Sequence, residues 1–154
     1  KFISHLEELL NRYDKCIPQT DCVLFPGIED LLNALDRDLI PWGIVTNKPS
    51  RFTLPLVEKF PILQSSKVVI CADQLSNSKP DPEGILRACS EMDCSPADTF
   101  YVGDHLKDIQ ASESAGTKSM AVRWGYIPED SPIDSWNADF IITHPDEILD
   151  LAQQ

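Results

Sequence analysis

Residues 101–116 read YVGDHLKDIQASESAG, and the apolar run just ahead, TFYV (99–102), breaks at Gly103-Asp104-His105 before helical patterning sets in over 107–115. A short run of this kind is what a parallel sheet buries on both faces, and the sudden polarity marks a strand handing over to a helix. Asp104 and Asp108 stand four residues apart. That spacing predicts two carboxylates on one helical face, where like charges cost about a few tenths of a kcal/mol. The partial positive charge of a helix N-terminus offsets part of this, and a hard divalent cation offsets more. Mg²⁺ suits the pattern, because it commonly takes one or two protein carboxylates and completes its shell with water and substrate phosphate. A helix start that is merely capped is the alternative. His105 reads as a capping or lining residue, since Mg²⁺ prefers oxygen.

Working outward, four more runs have the same texture: WGIVT (42–46), KVVI (67–70), SMAV (119–122) and DFII (139–142). Between and after them, helical patterning covers 51–60, 83–92 and 146–152, with an amphipathic helix from Ile28 closed by Asp36-Arg37-Asp38. A first helix is predicted over 3–15 from Phe2, Leu6, Leu9, Leu10 and Tyr13, and residues 128–132 read as a proline-flanked loop. Strand and helix alternate, which predicts right-handed crossovers and an α/β fold with a doubly wound parallel sheet. Its chemistry belongs at the carboxyl ends of the strands.

Two further strand ends carry polar side chains. WGIVT ends in Thr46-Asn47-Lys48-Pro49, a turn able to donate several hydrogen bonds to an anion, or simply to cap the next helix. KVVI is followed by Ser78-Lys79-Pro80-Asp81-Pro82, where two prolines stiffen a loop around one lysine. A held ammonium suits a phosphoryl group or a carboxylate, and an exposed loop lysine is the plainer reading.

Composition narrows the partners. The 154 residues carry 13 Lys+Arg against 25 Asp+Glu, a net charge of −12 that repels nucleic acid and anionic membrane surfaces. No stretch approaches the roughly 18 to 20 apolar residues of a membrane span, and the opening KFISHLEELLNRYDK lacks the order of a signal peptide. A cytoplasmic protein with no nucleic-acid or membrane partner is expected. Cys16, Cys22, Cys71, Cys89 and Cys94 form no CxxC pair and read as reduced thiols, small apolar residues in or near the core.

Thr46, Lys79, Gly103-Asp104 and Asp108, at the ends of successive strands, together resemble the haloacid dehalogenase superfamily of phosphohydrolases, over residues 25–151. The texture is that of its phosphoglycolate phosphatase group. VTNKP (45–49), YVGDHLKDIQASESAG and RWGYI (123–127) are similar to that group's N-acetylmuramic acid 6-phosphate phosphatase branch. The resemblance implies a Rossmann-like core over 25–154 lacking its first strand, with 1–24 the last helix and linker of a helical cap. It also implies a Mg²⁺-dependent phosphomonoesterase acting on a small phosphorylated metabolite. In that family the residue matching Thr46 hydrogen-bonds the phosphoryl oxygens with Asn47 beside it. The one matching Lys79 neutralises phosphate and nucleophile, that matching Asp104 ligates Mg²⁺, and that matching Asp108 supports the lysine and the metal's waters.

The family's nucleophile, the first aspartate of an Asp-x-Asp-x-Thr turn after an N-terminal strand, has no counterpart here. The one Asp-x-Asp, Asp36-Arg37-Asp38, precedes the first predicted strand. The chain is therefore expected to be a fragment, inactive alone. The family's strand order puts the missing strand between WGIVT and TFYV, which implies two open parallel edges there, so that the chain aggregates, swaps a segment, or is held by another copy or a peptide that fills the gap. A non-catalytic binding or regulatory module derived from a phosphatase is the alternative. A phospho-acceptor receiver domain is disfavoured by chain order, because there the acidic cluster comes before the threonine and lysine. Arg123, Trp124 and Tyr126 are expected either to border the cap or to pack against the core.

Overall fold

The computed structural model describes residues 22–125 and 127–154. The helix expected over 3–15, most of the cap segment 1–24, Cys16 and Tyr126 lie outside them.

The first described helix, α1 (Ile28–Arg37), buries Leu31, Ala34 and Leu35, one face of a 3.6-residue repeat. Glu29 and Asp30 in its first turn and Arg37 in its last complement the helix dipole. There follow β1 (Ile44–Thr46), α2 (Ser50–Lys59), β2 (Val69–Cys71), α3 (Glu83–Glu91), β3 (Phe100–Gly103), α4 (Leu106–Ala115), β4 (Lys118–Val122), β5 (Phe140–Ile142) and α5 (Asp146–Ala152). Each expected strand and helix of the described region is present, with ends moved by one or two residues. The largest shift is at KVVI, where the strand runs on to Cys71. That thiol is 1% exposed and fills the core as a small apolar side chain. Cys89 is buried as well, whereas Cys22 is exposed; Cys22, Cys71, Cys89 and Cys94 are all free thiols.

β4 shows why the sheet is covered on both faces. Met120 and Val122 pack with Leu31, Leu35, Ile142 and Ile148 from α1, β5 and α5. Ala121, pointing the other way, packs with Ile109 of α4 and with Ile133 and Trp136. On that second face α3 and α4 meet through Ile85, Cys89, Ala111 and Ala115, beneath Val45 and Tyr101. Small residues there let the two helices approach closely.

All pairings are parallel, as expected, but the sheet is not continuous. β1 pairs with β2, β3 with β4 and β4 with β5, and no ladder joins β1 to β3. The two parts face each other across a cleft of about 590 Å³ lined by Ile44 and Val45 on one side and residues 100–103 on the other. The two parallel parts are thus separated at the middle, since none of the described residues supplies a strand between β1 and β3. Val102 at 40% exposure shows the consequence: an apolar strand residue left without a covering neighbour.

Candidate active site

The rim of this cleft gathers the sequence-selected residues. Past β1, the Thr46 hydroxyl accepts a hydrogen bond from the Lys48 amide at 3.1 Å and closes a tight turn. Asn47 then reaches into the loop after β2: its amide group donates to the Lys79 carbonyl at 3.0 Å, and its side-chain oxygen accepts from the Lys79 amide at 2.9 Å. An amide side chain matched to a peptide group in this way places the loop that carries Lys79.

That loop is pinned elsewhere too. The Glu83 carboxylate accepts from the amides of Ser76 and Asn77 at 2.9 Å each, and Asp81 caps the start of α3 by accepting from the Glu83 amide at 2.9 Å. The bonds from Ser76 and Asn77 hold the Glu83 carboxyl below its ordinary value. Lys79 is accordingly not a solvated loop lysine: its side chain is 12% exposed. The ammonium donates to Asp108 Oδ1 at 2.7 Å, to the Tyr101 hydroxyl at 2.9 Å and to the Val45 carbonyl at 3.2 Å, which uses all its protons. Burial pushes this ammonium down, but Tyr101 and Asp108 beside it prevail and hold its pKa above the usual value.

Asp108 belongs to the first turn of α4. Its second oxygen accepts from the His105 amide at 3.1 Å, while His105 Nδ1 accepts from the Lys107 amide at 3.1 Å, so the two residues cap the helix reciprocally. His105 is a cap, as its position suggested. The expectation that Asp104 and Asp108 share a helical face is corrected: α4 begins at Leu106, so Asp104 sits ahead of the helix and lines the cleft. Two glycines make room for the acids. A Cβ on Gly103 would fall on the Asp108 side chain, and a Cβ on Gly125 would fall on that of Asp104. The sequence reading passed over Gly125 and Tyr101. A glycine just past a strand end was a signal for the first, whereas Tyr101 looks like any aromatic of a buried run.

A divalent cation is accommodated in part. Asp104 offers a hard oxygen donor at an open cleft, while Asp108 is committed to Lys79 and the His105 amide. No group of three or more His, Cys, Asp or Glu among the described residues surrounds a metal position, so this chain can supply only part of a shell that Mg²⁺ completes with water and other oxygens. The Asp-x-Asp of α1 plays no part in the cleft. Asp36 accepts from Trp42 Nε1 at 2.8 Å, and Asp38 from Arg37 at 3.0 Å and Gln153 at 2.8 Å. Trp124 packs against the core cluster and lines the cleft, and Arg123 pairs with Asp134 at 2.8 Å.

Burial also pushes the Tyr101 hydroxyl above its ordinary value of 10.0. With Lys79 raised above 10.5, both groups hold their protons more tightly folded than unfolded. The stability they contribute is complete below about pH 10 and is lost as pH rises through the raised values. Melting temperature is expected to drop above about pH 10, and less steeply in Tyr101→Phe; identical alkaline profiles for the two proteins would contradict this coupling.

A family model for haloacid dehalogenase-like hydrolases matches residues 1–122. The chain is 42% identical over 153 residues to N-acetylmuramic acid 6-phosphate phosphatase of Pseudomonas aeruginosa, covering 96% of this chain and 65% of that protein. It is 38% identical over 121 residues to phosphoglycolate phosphatase of Escherichia coli K12, covering 79% of this chain and 48% of that one. The crystal structure of a predicted phosphoglycolate phosphatase from Haemophilus somnus 129PT superposes with a TM-score of 0.79 at 28% identity, over 85% of this chain and 58% of its own. The chain thus spans about half to two thirds of the length of the relatives it matches. No helix among the described residues is long and apolar enough to cross a membrane.

Proposed function

The chain belongs to the haloacid dehalogenase-like hydrolase family, and from that membership we propose that it is the larger part of a Mg²⁺-dependent cytoplasmic phosphomonoesterase acting on a small phosphorylated metabolite. The observation that carries this reading is the ammonium of Lys79, buried at the strand ends, paired with Asp108 at 2.7 Å and held by a loop that Asn47 clamps. A fixed positive charge with little water around it is what a loose phosphoryl-transfer transition state requires, because negative charge is spread over the equatorial oxygens.

In this reading Lys79 faces the phosphoryl oxygens and the attacking carboxylate, and Asp108 keeps the ammonium oriented. Thr46 and the Asn47 turn bind the phosphoryl group from the neighbouring strand end. Asp104 holds Mg²⁺, which when bound supplies charge neutralisation at the phosphate. The attacking aspartate comes from an Asp-x-Asp-x-Thr segment that this chain does not contain. N-acetylmuramic acid 6-phosphate and phosphoglycolate, named in the relatives, are the first substrates to assay.

The chain alone is expected to show no Mg²⁺-dependent hydrolysis of p-nitrophenyl phosphate, and the same chain extended upstream by the segment bearing Asp-x-Asp-x-Thr is expected to hydrolyse it. Turnover by the chain alone would overturn the assignment of the nucleophile. An extended, folded protein without turnover would favour a non-catalytic binding module derived from a phosphatase.

A further inference from the structure

We infer that Tyr101 is a positioning residue for Lys79, its phenol oxygen fixing the ammonium over the cleft where a phosphoryl group is bound. This inference rests on the role proposed for Lys79 above.

A lysine side chain has four rotatable bonds, and holding it costs up to about 2 kcal/mol of rotamer entropy. One carboxylate contact leaves the ammonium free to swing about that contact. Tyr101 removes this freedom through a second fixed contact, its oxygen accepting from Lys79 Nζ at 2.9 Å. The ammonium lies 5.5 Å from the Tyr101 ring centroid as well.

The ring itself cannot move far, being packed on Ile85, Cys89, Ala111 and Ala115 where α3 meets α4. Tyr101 therefore anchors the lysine to the packed junction of α3 and α4. Because its phenol is neutral, it does so without cancelling the positive charge that a phosphate would meet. Asp108 cannot do this: it orients the ammonium but also neutralises it.

The test uses the extended protein and a double-mutant cycle, with affinity for inorganic phosphate measured by calorimetry and turnover of p-nitrophenyl phosphate measured in parallel. Tyr101→Phe keeps the ring in its apolar pocket, and a single cooperative melting transition at neutral pH, at a somewhat lower temperature, confirms that it folds. It is expected to weaken phosphate about 10-fold and to lower kcat about 10-fold, with the Mg²⁺ concentration for half-maximal activity unmoved. In a Lys79→Met background it is expected to change phosphate affinity less than twofold, because the group it acts through is gone. An equal effect in both backgrounds, or none in either with Lys79→Met inactive, overturns this inference alone. Full activity in Lys79→Met overturns the role of Lys79 and this inference with it.

Discussion

Lys79→Met is expected to abolish phosphatase turnover in the extended protein, by about 10³-fold or more, and no concentration of Mg²⁺ is expected to restore it. Methionine nearly matches the aliphatic stem but leaves the phosphoryl oxygens and the attacking carboxylate facing each other with no cation between them in a site of low dielectric. Removing one partner of a buried pair also costs about 3–5 kcal/mol of stability, here because Asp108 would stay buried with only the His105 amide. Melting must therefore be measured beside kinetics, so that lost fold is not read as lost chemistry. Asp104→Asn supplies the contrast. Asp104 lines the cleft ahead of α4, and its loss is expected to lower activity by weakening the metal, with partial recovery as Mg²⁺ is raised. Wild-type activity in Asp104→Asn at low Mg²⁺ would show that this carboxylate does not hold the metal, and Mg²⁺ rescue of Lys79→Met would show that the lysine is not the opposing charge.

The 154-residue chain on its own is expected to self-associate rather than remain a monomer. The cleft between β1 and β3 presents two parallel strand edges at once. Ladder alternation turns the backbone groups of Val45 into it from one side, and those of Phe100 and Val102 from the other, since the Ile44 amide and the Thr99 carbonyl are engaged outward with β2 and β4. An unpaired buried backbone group costs on the order of 1–3 kcal/mol, and a strand entering the cleft satisfies groups on both edges while burying apolar surface. Two side chains, Lys79 and Tyr101, already bond the Val45 carbonyl from within the chain. They are a local substitute for a ladder and do nothing for β3. Size-exclusion chromatography with light scattering is expected to show dimers or larger species that the upstream extension converts to monomers. A monodisperse monomer of the short chain that melts cooperatively would contradict this.

What was legible from residue order alone is the set of elements and the residue types at their ends. Short apolar runs such as TFYV and SMAV, bounded by turn signals and alternating with segments that repeat near every 3.6 residues, read as strands, so length and alternation identified each described strand and periodicity each helix. Asp104 and Asp108 stood out because the polarity changes abruptly where a strand hands over to a helix, and Lys79 because two prolines stiffen the loop around it, both of which are visible in one dimension. Which of them touch is a matter of tertiary structure. Spacing placed Asp104 with Asp108 on one helix, but α4 starts only at Leu106, because His105 and Asp108 satisfy each other's end of the helix and Asp104 is left on the strand side. Asp108 meets Lys79, 29 residues away, because β3 and the loop after β2 end at the same rim. Tyr101 and Val45 join the lysine for the same reason, and nothing in a run of apolar residues marks the one hydroxyl that will point at an ammonium. The open edges of β1 and β3 were expected through the family resemblance alone and not through pattern: propensity and pattern are local and set which segments become strands, whereas sheet order depends on which edges find partners across the whole chain.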